Sequence, residues 1–264
     1  MTPRPAATAA LTASLLAAGL LTLPGSASAD ESPSFGLVGR YVALRTPDKP
    51  AGEEDDIRAE VTAVLGDRMY VVNHTALDIV DITDPSAPVL QRQVSLAGFG
   101  GSITSVATSP GRVAVAIPNA DKTQPGTVVL LNPAGRILRT VTVGANPDML
   151  TFDASGKRLV VANEGEPSGY GQGFADPEGS VSIIDVQSLL GGRPNAVRTV
   201  GFADFNAVGG SRGLDPAVRI FGPGATVAQD LEPEYVTIRG DRAFVSLQEN
   251  NAIAEIDLNG GEVV

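Results

Sequence analysis

Residues 144–186 read GANPDMLTFDASGKRLVVANEGEPSGYGQGFADPEGSVSIIDV, and the order of apolar and polar residues in this stretch decides the fold class. Three runs, Met149–Phe152, Lys157–Ala162 and Ser180–Val186, are rich in Val, Ile, Leu and Phe. Each is the length of a strand and too short for an ordinary helix. Asp153-Ala154-Ser155-Gly156 between the first two is turn chemistry, because Asp and Ser bond their own backbone and Gly accepts a positive φ. A long acidic loop separates the second run from the third. The order run, turn, run, loop, run predicts an antiparallel meander, with Val197–Phe202 as its fourth strand.

The same order recurs on both sides. Upstream, Val61–Leu65, Met69–Asn73, Leu77–Ile82 and Val89–Leu96 form one unit, and Ile103–Thr108, Arg112–Ile117, Thr127–Leu131 and Arg136–Val143 form a second. Downstream, Glu234–Ile238, Arg242–Leu247 and Asn251–Leu258 begin a further unit, and the chain stops at Gly260–Val264, where its fourth strand is due. Second strands start at Met69, Arg112, Lys157 and Arg242. The first two steps match the roughly 40–50 residue period of a four-stranded propeller blade, and the third is about twice as long. Residues 191–230 are rich in Gly and Pro and hold only short apolar runs, so they are expected to be an inter-blade insertion, with a short helix around Asp204–Val208. The predicted architecture is all-β: a β-propeller of four-stranded antiparallel blades spanning residues 30–264, with about four blade units. Phe35–Leu44 is a further expected strand, and Arg45–Asp56, ending in Glu53-Glu54-Asp55-Asp56, an expected solvated loop. Four units would close if Phe35–Leu44 supplied an outer strand. The preferred expectation is the N-terminal portion of a larger propeller, because the sequence ends inside a repeat.

Composition narrows the function. Hydrophobic residues make up 43% of the 264, enough for a substantial core. The absence of Cys excludes disulfides and thiolate metal sites, and a single His, His74, excludes His-rich ones. A net charge of −11 argues against nucleic acid as a partner, since a binder of phosphates needs a basic face. Arg4, the apolar run Ala9–Leu23 and Ala27-Ser28-Ala29 fit a signal peptide, residues 1–29, cleaved after Ala29. The run is short for a membrane span, and no second one follows. A secreted or cell-surface chain without a membrane span in its mature part is therefore expected.

In a meander, successive loops alternate between the two faces of a blade. The loop from second to third strand shares a face with the link to the next blade. That face collects His74, Asn119, Asp121, Asp148, Glu164, Glu166, Asp176, Glu178, Asp230, Glu232, Glu234, Glu249 and Asn250. Carboxylates gathered around one opening focus cations. Glu164, Glu166, Glu232, Glu234 and Glu249 are the candidate metal ligands, and oxygen donors suit Ca²⁺ or another divalent cation. Three segments carry this expectation: Asn163-Glu164-Gly165-Glu166-Pro167, Asp230-Leu231-Glu232-Pro233-Glu234 and Gln248-Glu249-Asn250-Asn251. Each also has a purely structural explanation as a turn or as the Pro-led entry to a strand. No Gly-x-Ser-x-Gly elbow accompanies His74, and no phosphate-binding Gly-x4-Gly-Lys loop is present. Asn73-His74-Thr75 matches a glycosylation sequon.

These segments resemble the choice-of-anchor I proteins, exported bacterial propellers related to the mesenchyme-specific cell-surface glycoprotein and to YVTN-type repeats. The matching stretches are MYVVNHTALDIVDITDPSAP from Met69, NPDMLTFDASGKRLVVANEGEP from Asn146, DPEGSVSIIDV from Asp176 and AQDLEPEYVTIRGDRAFVSLQENNAIAEIDL from Ala228, within roughly residues 36–264. The resemblance implies a secreted or surface propeller anchored at its C-terminus, by means that differ between members. Some members are called alkaline phosphatase or phytase-like esterase. Two functions are thus in view. One is a binding or interaction module for an extracellular ligand or surface partner, with an acidic, candidate Ca²⁺-binding loop face. The alternative is a metal-dependent phosphoesterase whose clustered carboxylates hold one or two ions that polarise phosphate.

Overall fold

The computed structural model describes residues 36–43, 59, 61–169 and 173–264. The expected signal peptide and the loop Arg45–Asp56 lie outside the described residues. Within the unit Val38–Val264, the strands form four antiparallel sheets of four. The first blade is β1 (Thr62–Leu65), β2 (Arg68–Asn73), β3 (Ala76–Asp81) and β4 (Val89–Ser95). The second is β5 (Ser105–Ser109), β6 (Arg112–Ile117), β7 (Pro125–Leu131) and β8 (Ile137–Ala145). The third is β9 (Pro147–Phe152), β10 (Arg158–Asn163), β11 (Ser180–Asp185) and β12 (Val197–Gly201). The fourth is β13 (Pro233–Arg239), β14 (Arg242–Leu247), β15 (Ala252–Asp257) and β16 (Glu262–Val263). Every sheet runs in sequence order, as a meander does.

The blades stack through their apolar faces. Tyr70, Leu77 and Ile79 of the first meet Val113, Val115 and Ile117 of the second. Ala114, Val128 and Leu130 meet Leu159, Val161 and Ile184 of the third. Val160, Ala162 and Val181 meet Val236, Ala243 and Val245 of the fourth. A middle blade is covered on both faces, so β6 and β10 are buried at every position after their leading Arg. That is why they read as unbroken apolar runs rather than alternating ones. Each such Val, Leu or Ile contributes about 1.5–3 kcal/mol by leaving water. In β14 the alternation returns: Ala243, Val245 and Leu247 are buried, and the residues between them are half-buried. First strands touch in series, β1 on β5, β5 on β9 and β9 on β13. Among the described residues, β13 and β1 make no packing contact of that extent.

The structure departs from the sequence expectation in four places. Residues 36–43 are not a strand and join no sheet, and Tyr41 donates its hydroxyl to Asp78 at 2.7 Å. Asp78 is fully buried and also accepts from Asn73 and Gln93, so a side chain rather than a backbone ladder ties this segment down. The third strand of the third blade stops at Asp185, whose carboxylate caps the helix α1 (Val186–Leu190) through the Ser188 amide. The helix expected around Asp204–Val208 is a single 3-10 turn, Ala203–Phe205. The fourth blade has its fourth strand, with Glu262 paired to Asp257. Residues 191–230 hold no extra blade: beyond β12 they consist of turns and the short helix α2 (Val227–Asp230). Among the described residues no helix is long and apolar enough to cross a membrane.

Candidate functional site

The β10–β11 loop leaves the sheet at Asn163 and is pinned at once to the preceding blade. Glu164 N–H donates to the Asn146 carbonyl at 2.9 Å, and Gly165 N–H to the Ala145 carbonyl at 3.2 Å. Gly165 has φ of 72°, and a side chain there would meet the backbone of Glu178 and Gly179 within 3.0 Å. Glycine thus lets the loop double back tightly between two glutamates. Asn146, itself at φ 47°, donates its amide to Glu164 at 2.5 Å and to Glu166 at 3.3 Å. Lys122, from the β6–β7 loop, closes on Glu166 at 2.9 Å. The pair is largely solvated, so it orients Glu166 more than it stabilises the fold.

The fourth blade supplies the other wall. Asn250 is fully buried; its amide donates to the carbonyls of Asp230 at 2.6 Å and Arg219 at 3.0 Å, and its oxygen accepts from Glu232 N–H at 3.2 Å. Asp230 is 4% exposed and accepts from the amides of Phe221 and Gly222. These two residues hold the entry Leu231-Glu232-Pro233-Glu234 in place, so they are structural. Glu232 and Glu234, 6% and 8% exposed, are left close to other acids.

The electrostatics show how near the acids stand. Burial, then Glu166, Asp148, Glu232 and Glu234, push the Glu164 carboxyl up to about 8. Burial, then Glu249, Asp230, Glu166 and Asp176, push Glu232 up to about 7. Burial, with Asp148 and Glu249, raises Glu234. Burial also raises Asp148 against the pull of Lys122, and raises Asp176 beside Asp230. Desolvated carboxylates around one mouth hold protons because each disfavours its neighbour's charge. The five glutamates nominated from sequence therefore share one electrostatic neighbourhood, with Glu249 exposed at its edge. Among the described residues, no three His, Asp or Glu side chains are arranged to hold a metal ion.

Other face residues are spent locally. Asn119 and Asp121 accept from amides two residues on, at 3.1 Å each, and so form turns. Glu178 is exposed. His74 sits at φ 54° with its Nδ1 3.2 Å from the Ser102 hydroxyl. Asn73 of the sequon is fully buried and donates to Asp78 at 2.9 Å, so it offers no amide for glycosylation in the folded chain. Lys122 and Asn146 were not among the residues nominated from sequence. Their signals were faint: Lys122 is the one cation between Pro118 and Gly126, and Asn146 stands before Pro147 where Glu232 stands before Pro233.

The Choice-of-anchor I domain family model matches residues 63–264. No curated protein sequence matches the chain. Solved structures similar to it include the computationally designed Ika4 protein, at 12% identity over 75% of this chain and 89% of that one, with a TM-score of 0.45. Apo AztD from Citrobacter koseri is similar at 14% identity over 77% of this chain and 45% of that one, TM-score 0.46. BamB from Moraxella catarrhalis is similar at 13% identity over 76% and 47%, TM-score 0.44. The chain spans about half the length of AztD and of BamB.

Proposed function

The chain belongs to the choice-of-anchor I family, and from that premise we propose that it is an extracellular binding module whose acidic loop face engages cationic groups. The observation that carries this is the gathering of Asp148, Glu164, Glu166, Glu232 and Glu234 from the entries and loops of two blades into one electrostatic neighbourhood. Rigid strands hold these loops, which favours recognition of a preformed shape. The leader-like residues 1–29 support export, and the charge of −11 supports a basic rather than an acidic partner. The metal-dependent phosphoesterase needs at least one bound ion to reverse the sign of this face before phosphate could approach.

Spermine, a soluble polycation, is the probe for a calorimetric titration. Binding is expected, falling steeply between low and physiological salt and at least fivefold weaker in the Glu164→Gln/Glu232→Gln double variant. No binding at low salt refutes the acidic-face reading. A parallel melt with Ca²⁺ and with chelator separates the metal alternative: a Ca²⁺-dependent rise in Tm that chelator reverses, together with phosphoester turnover, would favour the enzyme.

A further inference from the structure

A cavity of about 430 Å³ opens beside the acidic mouth, between the first and second blades. Val61, Val72, Ile103, Pro118 and Ala120 give it an apolar wall, and Asp148 stands at its edge. Its size falls in the range of small-ligand pockets, roughly 300–1,000 Å³. Most polar groups around it are already engaged. Thr104 donates its hydroxyl to the Pro147 carbonyl at 2.6 Å, Ser102 pairs with His74 at 3.2 Å, and Lys122 is held by Glu166 at 2.9 Å. Asp148 differs: it is half-buried, and its carboxylate makes no side-chain hydrogen bond among the described residues, feeling only the longer-range pull of Lys122 and the repulsion of Glu166. A partly desolvated carboxylate keeps only part of its hydration, and an incoming donor of opposite charge offsets that loss.

We propose that this cavity binds a primary ammonium carried on a short apolar chain, with the ammonium on Asp148 and the chain against Val72, Ile103 and Pro118. The inference rests on the acidic-face reading and makes it specific. An anionic ligand fits worse. Among the described residues that line the cavity, the cation is Lys122, already paired with Glu166, and the anion would face Asp148 with Glu164, Glu166 and Glu234 close behind. A wholly apolar ligand would leave Asp148 unpaired under it. The same ammonium chemistry is offered by a free alkylamine and by a lysine side chain on a protein.

The test is a methyl NMR titration of the full chain with n-pentylamine, n-pentanol and pentanoate, following Val61, Val72 and Ile103. Saturable shifts of these methyls with the amine, and affinity at least tenfold weaker for the alcohol and the acid, are the expected result. Asp148→Asn should remove the tenfold preference for amine over alcohol. N-acetyl-lysine N-methylamide separates the sources: binding as tight as the amine identifies a lysine side chain, and weaker binding identifies a free amine. Equal binding of all three pentyl probes, or no methyl shift with the amine, overturns the proposal on the unsubstituted protein, whatever the folding of the variant. Spermine binding without those methyl shifts would overturn the pocket and leave the acidic face standing. Loss of both would remove both.

Discussion

Asn250 shows how a residue chosen for its polar side chain serves the site from beneath. Its Glu249-Asn250-Asn251 setting in the sequence admits a ligand as well as a turn former. In the structure its amide is fully buried and joins three backbone groups from Arg219, Asp230 and Glu232. Removing it leaves those groups without a partner in a dry position, each at a cost of about 1–3 kcal/mol. Asn250→Ala is therefore expected to lower stability by about 2–4 kcal/mol and to loosen the Glu232-Pro233-Glu234 entry. Denaturant unfolding measures the first effect, and faster amide exchange at Glu232 the second. Glu249→Gln next door, exposed and without a side-chain hydrogen bond among the described residues, should leave the denaturation midpoint nearly unchanged.

At the scale of the strand and blade, most of the order could be read directly. The turns Gly66-Asp67, Ser109-Pro110-Gly111 and Gly240-Asp241 interrupt the apolar runs, and strand ends fall within a residue or two of where these breaks place them. Residues 36–43 could not be read this way. Their apolar pattern resembles a strand, but what holds them is Tyr41 reaching a carboxylate thirty-seven positions away, which local pattern does not encode. The site divides similarly. That the acidic loops share a face followed from the alternation of a meander. That Asn146 ties two glutamates together, and that Asp148 meets an apolar cavity, depends on how one blade leans on the next. Gly144 marks that approach: a side chain there would lie 2.7 Å from Asn163 and closer still to Ser180. Gly144→Ala should therefore push the second and third blades apart and cost about 1–3 kcal/mol. Because Asn146 lies two residues on, the same variant should weaken spermine binding, which a melt and the titration described above would register together. Full retention of both stability and binding would show that the blades do not depend on this contact.

Over the whole molecule, the two loop faces treat the same chemical group in opposite ways. On the face of the tight turns, Asp81, Asp84, Asp185, Asp241 and Asp257 accept hydrogen bonds from amides or side chains of their own turns or of a neighbouring blade, and their carboxyls are held below the ordinary value of 3.8. On the other face, burial and mutual repulsion raise Asp148, Glu164, Asp176, Glu232 and Glu234. The linkage to stability follows with opposite signs. A carboxyl raised on folding favours the native state below its unfolded value, 4.5 for a glutamate, and loses that contribution as the pH climbs through about 7 for Glu232 and about 8 for Glu164. A carboxyl lowered on folding contributes above 3.8 and loses that as the pH falls further. Stability should thus peak in mildly acid solution, between roughly pH 4 and 6, and decline on both sides. Solvent at the mouth screens the effect, so the alkaline decline attributable to Glu164 is about 1 kcal/mol, a Tm change of a few degrees for a domain of this size. Thermal melts from pH 4 to 9 check the shape of the curve. Glu164→Gln should raise Tm at pH 8.5, leave it nearly unchanged at pH 5, and flatten the alkaline limb. A curve that rises steadily to pH 9 in the unsubstituted protein would mean that burial and mutual repulsion do not raise these carboxyls, and the close gathering on which the acidic-mouth reading rests would be refuted.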